Sequence, residues 1–321
     1  MATARRDEVR QVLRLGGGFR ADLVSGCEVL HIHRDHDDQT LAVAKRAHAA
    51  GIGVIWDNDD DFEAVPRGNV AYRRYGGMSG ERAQRGVRRM LGLADVVTTT
   101  SPRLADRYRE LGAGEVRVIE NHVRDETVRV AAPPRRDGVT VGWVAGKEHH
   151  LDAEQLPIRS TLERLLAAHP DLRVTTIGVG LGIADARYEH IREVRFEELP
   201  ERTALFDVGI APIADLRLNL ARSNVKLKEY AAVGVPWLAS ARGPYLGLGE
   251  RQGGRLVDDD GWHDAIARLV DKQRERRRLA KRALKWGRTQ TISQNTAPWA
   301  DALAVAVERA RGRHVALGGL A

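Results

Sequence analysis

The chain has 321 residues, 43% hydrophobic and 30% charged, with a net charge of +7, a balance that reads as globular and leaves room for two domains with separate cores. A single cysteine, Cys27 in the apolar run CEVLHI, excludes an internal disulfide. No run of eighteen apolar residues exists and MATARRDEVRQVLRL lacks an apolar signal region, so a cytoplasmic address with no transmembrane segment is expected; the excess of Arg permits an acidic partner but is spread along the whole chain.

Residues 1–26 begin as a charged, helix-like segment and continue into a glycine triplet at 16–18, a turn or an acceptor-facing loop. Next, CEVLHIH reads as a buried strand, QTLAVAKRAHAAG as a helix with a Gly stop and GVIWDND as a second strand, which makes a parallel βαβ unit. Asp57, Asp59, Asp60 and Asp61 follow at the end of that strand, where an α/β sheet places ligand groups. Such a cluster suits a hard cation, a helix cap with solvated charge, or an acceptor-side role, and we expect the acceptor or structural role. The Arg-rich stretch of residues 69–92, with two Tyr, suits an anionic acceptor or nucleic acid, or equally a mobile loop and a solvated helix. Residues 95–123 then read as strand, Ser-Pro helix start, helix, Gly stop and strand, and the charged, Pro-rich segment 124–138 as an interdomain linker.

A second alternation starts with a strand at 139–145, running into Gly146-Lys147-Glu148-His149-His150 and a helix near Asp152. The adjacent histidines point in different directions on any regular element and lack partners at metal-site spacing. Further strands are expected at 172–180, 193–200 and 207–213. The stretch RSNVKLKEYAAVGVP, 222–236, carries a basic, polar helix entrance at Arg222, Ser223, Asn224, Lys226 and Lys228 and one carboxylate, Glu229. Ser223 or Asn224 can cap the helix, Gly234 can stop it, and Lys226, Glu229 and Tyr230 fall on one side of its first turns. An anion there would meet backbone N–H groups, the helix dipole and cationic side chains together, a description that a diphosphate fits. Trp262, Ile266, Leu269 and Val270 then give an apolar helical face, with the RERRR run on the opposite, solvated face.

The 222–245 stretch resembles the donor-binding segment of GT-B glycosyltransferases, especially the retaining family-4 type, in which a Lys precedes a Glu-containing helix ending in A-x-G-x-P before a strand and a G-P-Y or G-G turn. The likeness extends to ADVVTTTSPRL…VRVIENHV in the first half, to Gly146–Asp152 and to the G-x-L-V…W…A-I close around Trp262, while Asp57–Asp61 is similar to the acidic run of a bacterial subset. The resemblance implies an α/β fold of two Rossmann-like domains facing a cleft: a short acceptor-side domain over 1–123, a linker over 124–138, a donor domain over 139–290 and a C-terminal helix, 291–321, packing back on the first domain. It implies an enzyme moving a sugar from a nucleotide-sugar donor (UDP- or GDP-linked), with retention, no bound metal and no tightly bound cofactor. Its acceptor is open: a small molecule, glycan, protein or DNA. Carried over, the catalytic group is Lys226, Arg222 and Glu229; the donor-binding group is Gly146, Lys147, His150, Ser223, Asn224 and Tyr230; and Asp57, Asp59, Asp60 and Asp61 lie on the acceptor side. Two departures stand out. The first Glu of the family's E-x7-E motif is Ala221 here, and the Gly of its nucleobase-bearing V-x-F-x-G strand is absent from EVRFEELP. A nicotinamide-dependent oxidoreductase would share the βαβ units but needs a G-x-G-x-x-G that neither domain start contains, and a nucleic-acid-binding protein would share the charge but not the 5% aromatic content or the missing motifs.

Overall fold

The computed structural model describes residues 26–130 and 137–318, so the glycine triplet and charged segment before it, and residues 131–136 of the linker, lie outside the described residues. Two parallel sheets form the framework. The first has β1 (Val29–His33), β2 (Gly53–Asp57), β3 (Val96–Thr99) and β4 (Val116–Val118) in that spatial order. The second has β5 (Val139–Ala145), β6 (Leu172–Gly178), β7 (Tyr188–Ile191), β8 (Val208–Ala211), β9 (Trp237–Ser240) and β10 (Gly254–Val257), in the order β10-β9-β8-β5-β6-β7. From the adjacent β5 and β8 the chain winds outward in both directions, which is the doubly wound Rossmann arrangement and puts a crevice where those two strands part.

Helices cover both faces of the larger sheet, through one cluster with Trp143, Leu162, Ile210 and Trp262 and another with Ile177, Leu227, Tyr230 and Trp237. The smaller sheet buries Trp56, Met90, Leu104 and Tyr108 on one face. On its other face, Ile55, Val96 and Ile119 pack with Ala302 and Ala306 of the helix Ala297–Gly318. Small side chains let that helix press close to β2: a Cβ on Gly53 would stand 2.6 Å from the Ala306 carbonyl oxygen.

Two expectations need correction. Residues 193–200 are no strand; the strand is Tyr188–Ile191, an edge strand whose polar, half-exposed residues carry little hydrophobic alternation, and Leu199–Thr203 is helical. The RERRR run is not wholly solvated: Arg276 is buried and donates to the Leu269 and Val270 carbonyls, closing the C-terminus of the helix Trp262–Asp271. Burial pulls the Arg276 guanidinium below its ordinary pKa.

The chain crosses between the sheets twice, and the crossings touch. Val123 N–H donates to the Gln290 carbonyl at 3.0 Å and Ile292 N–H to the Val123 carbonyl at 2.9 Å. No helix among the described residues is long and apolar enough to cross a membrane.

The close approach at Gly53 sets an opposite-sign pair of substitutions. Gly53→Ala is expected to destabilise by about 1–3 kcal/mol through overpacking, and Gly92→Ala, in open space on the helix Gly77–Leu93, to stabilise by up to about 1 kcal/mol. Urea unfolding of both variants checks this, and equal effects would refute the packing assigned to the C-terminal helix.

Candidate functional site

The crevice between β5 and β8 is organised by one buried carboxylate. Asp152, 1% exposed, follows the turn after β5. Its Oδ1 accepts from the Ala214 N–H at 2.8 Å and from Asn219 Nδ2 at 2.7 Å, both on the segment after β8. Its Oδ2 lies 2.6 Å from His149 Nδ1. A carboxylate oxygen can only accept here, so Nδ1 carries a proton; Arg222 Nη1, 3.3 Å from Nδ1 and 3.2 Å from Nε2, is nearly equidistant from the two ring nitrogens and so lies over the ring face. Arg222 is thereby drawn over the mouth of the crevice.

His149, not His150, is the histidine held by Asp152. The i, i+3 spacing of His149 and Asp152 was the signal that could have found it, whereas His150 Nδ1 lies 3.0 Å from the Lys147 carbonyl. Gly146 and Lys147 are exposed on the turn between β5 and this helix. Tyr230 is not in the cleft at all. It is fully buried, accepts from the Val144 N–H at 3.0 Å and donates to the Ile210 carbonyl at 2.8 Å. The β5–β8 ladder pairs Val141 with Val208 and Gly142 with Gly209; beyond it the Tyr230 hydroxyl bridges the separating strands, and burial pushes its pKa well above the ordinary value.

The helix Val225–Ala232 starts beside Arg222 and is stopped at Gly234, whose φ is 78°. Neither proposed cap operates: Asn224 Nδ2 donates to Glu120 at 3.4 Å, Ser223 Oγ accepts from Asn121 at 3.4 Å, and no side chain caps the first-turn N–H groups. Lys226 Nζ and Glu229 Oε2 pair at 2.8 Å, both partly exposed. Lys228 turns the other way, fully buried, donating to Glu120 at 2.6 Å and to the Asn121 carbonyl at 2.9 Å, where the first domain ends. Burial pulls its ammonium below the ordinary pKa, and the Glu120 carboxylate opposes that pull. Glu229 also edges a cavity of roughly 790 Å³ between the crossing segment, at Asn121, His122 and Arg124, and the 196–203 segment. Across it Arg124 lies over the Phe196 ring, 6.0 Å from its centroid.

Ala221 is 2% exposed and packs into the core of the first domain. Ser101 Oγ donates to its carbonyl at 2.6 Å while accepting from Leu104 N–H, so one hydroxyl caps a helix and joins the two domains. A Glu in place of Ala221 would need space that this contact has closed.

The four aspartates do not converge. Asp57 accepts from Thr98 Oγ1 and from His33 Nδ1, both at 2.7 Å. Asp59 and Asp60 pair with Arg34, whose backbone is held at φ 62° and whose guanidinium lies over the Phe62 ring. Asp61 caps the short turn Phe62–Ala64 through the Glu63 N–H and reaches Arg217 of the second domain at 3.4 Å. Burial raises the pKa of Asp59, reinforced by Asp60, and also that of Asp61, where Arg217 opposes it. Among the described residues no group of three or more His, Cys, Asp or Glu side chains is disposed to hold a metal ion.

No family model matches the sequence, and no curated protein matches it. Solved structures do resemble the fold. Sucrose-phosphate synthase from Thermosynechococcus elongatus superposes with a TM-score of 0.56 at 15% identity, over 91% of this chain and 74% of that one. HepE of Anabaena, in complex with UDP and glucose, gives 0.64 at 13% identity over 86% and 77%. A UDP-forming α,α-trehalose-phosphate synthase from Burkholderia xenovorans gives 0.59 at 14% identity over 86% and 73%. The chain therefore has the two-domain architecture of these GT-B glycosyltransferases.

Tyr230→Phe strands the Val144 N–H and the Ile210 carbonyl, so urea unfolding should show a loss of about 1–3 kcal/mol; an unchanged midpoint would remove the bridge from the account. His33 supplies a pH test. Its pKa is raised, first by the hydrogen bond to Asp57, with Asp59 adding to it and burial and Arg34 opposing. The folded state thus holds the proton more tightly than the unfolded chain, and the stabilisation is complete below the ordinary histidine value of about 6.5 and fades as pH rises through the raised one. The stability gap between the wild type and His33→Gln should narrow as pH rises above about 6.5. A pH-independent gap would show that the pair does not titrate as described.

Proposed function

We propose that the protein is a glycosyltransferase that moves a sugar from a UDP- or GDP-linked donor to an acceptor, with the retaining outcome that its family-4 resemblance implies. The observation carrying this reading is the convergence, where β5 and β8 part, of Arg222, the Lys226–Glu229 pair and the uncapped start of the Val225–Ala232 helix beside a cavity. In this reading the diphosphate lies at the helix start, with Arg222 and Lys226 as its cations and Lys147 on the opposing turn. Glu229 receives the ribose hydroxyls, and the nucleobase occupies the cavity toward Phe196. This placement is supported by the adjoining positions of those groups and by HepE, a structural neighbour crystallised with UDP and glucose.

Chemically, the acceptor hydroxyl oxygen bonds to the anomeric carbon, on the face from which the diphosphate departs, as that carbon's bond to the diphosphate oxygen breaks; the nucleoside diphosphate leaves with the bonding pair, and the acceptor hydroxyl's proton passes to the departing phosphate oxygen. Negative charge therefore grows on the leaving oxygen. Lys226 responds to it by exchanging Glu229 for phosphate, and Arg222 is already oriented by His149 and Asp152, so little reorganisation opposes the step. Closure about Val123 and Thr291 brings the acceptor-side domain over the donor.

Glu229→Ala should weaken UDP or GDP binding in calorimetry, because ribose contacts exist before and during transfer. Lys226→Ala should instead lower kcat by roughly 10²–10³ with a smaller change in nucleotide affinity, as for loss of one preorganised donor to a developing anion. Wild-type nucleotide affinity in Glu229→Ala would overturn the site. Small-angle scattering should show a smaller radius of gyration on donor saturation, and no change would rule out closure.

A further inference from the structure

A second cavity, of roughly 730 Å³, lies in the first domain between the start of the helix Asp38–Ala49 and the helix Gly77–Leu93. Four guanidinium groups, from Arg74, Arg82, Arg85 and Arg89, line it against two carboxylates, Asp37 and Asp38. The spacing of Arg82, Arg85 and Arg89 puts them on one face of their helix. Gly86, between them, is what lets that face approach: a Cβ there would collide with the His36 carbonyl oxygen. Asp38 takes Arg89 at 2.8 Å and Arg82 at 3.4 Å and so pins the two flanking arginines, while Arg74 is 3.7 Å from Asp35 and Arg85 only 3.9 Å from Glu81. Within the lining itself four guanidinium groups face two carboxylates, Asp35 and Glu81 reaching Arg74 and Arg85 only at 3.7 and 3.9 Å from outside it, in a concave space of small-ligand size.

The cavity is joined to the interdomain contact by one aromatic layer. His36 lines the cavity and its ring is 5.3 Å from Phe62, which stacks on Tyr75 at 4.0 Å; Phe62 follows Asp61, the residue that reaches Arg217 of the second domain. We infer that this groove binds the phosphate group of a small phosphorylated molecule, and that such a molecule is the sugar acceptor. Planar guanidinium groups pair with phosphate oxygens two at a time, which suits four of them to a phosphate ester more than to a neutral glycan. A concave site of this volume favours a small ester over duplex DNA. The acceptor role rests on the glycosyl-transfer reading, whereas the binding of phosphate does not.

The test titrates the full chain with glucose 6-phosphate, glucose and inorganic phosphate by calorimetry, beside a titration with UDP. The phosphate ester should bind at least about tenfold more tightly than glucose, with affinity falling as salt is raised. The double variant Arg82→Ala/Arg85→Ala should lose at least about tenfold in that affinity, with a cooperative melting transition showing that it is folded; Arg85→Glu alone, next to a single distant carboxylate, should lose affinity in the same direction. Equal binding of glucose and its phosphate, or undiminished binding in both variants, overturns the site. So does preferential binding of a DNA duplex, or of anionic phospholipid vesicles, through the same arginines. If the phosphate ester binds and UDP does not, the transferase reading fails and the anion site stands; the reverse result removes the anion site alone.

Discussion

The crevice depends on Asp152. A buried carboxylate is costly unless donors surround it, and this one is met by a backbone N–H, an amide and an imidazole N–H that come from both sides of the switch point. Those bonds hold the turn after β5 against the segment after β8, and through His149 they aim Arg222. Tyr230 does complementary work one layer below, occupying the backbone groups that β5 and β8 expose as they part. A crevice in an α/β sheet would otherwise leave unpaired polar groups at its floor.

Among the described residues, polar contacts join the two domains beside the buried Ala221. Ser101 meets Ala221, Asp61 meets Arg217, and Lys228 reaches Glu120 and Asn121. Interfaces of that kind permit relative motion. The helix Val225–Ala232 is two-sided: Glu229 lines the cavity and pairs with Lys226, while Lys228 bonds Glu120 and Asn121 at the end of the first domain.

On the first domain's side, carboxylates that look like a ligand cluster in one dimension are divided among several partners. Arg34 holds two, His33 and Thr98 hold another, and the last caps a turn. Charge near that edge is instead set by arginines of the 69–92 stretch, which the sequence marks as suited either to an anionic acceptor or nucleic acid or to a mobile loop and a solvated helix.

The sequence by itself determined the fold class, most strand positions and the helix that anchors the crevice, because β-branched runs, Ser-Pro and Gly boundaries and the 222–236 pattern are local signals. It also marked Lys226 and Glu229 as neighbours, since three residues along a helix fix proximity, and placed Arg222 at the helix entrance. What only the tertiary structure decided was direction. Tyr230 and Lys228 lie within the same helix as Glu229, yet packing against β5, β8 and Glu120 turns them inward, and no local signal distinguishes an inward hydroxyl or ammonium from an outward one. The bonding of His149 rather than His150 to Asp152, the dispersal of Asp57–Asp61, and the burial of Ala221 under Ser101 likewise follow from tertiary packing, with contacts between residues as much as 156 positions apart, and such contacts exist only once the sheets have closed on each other.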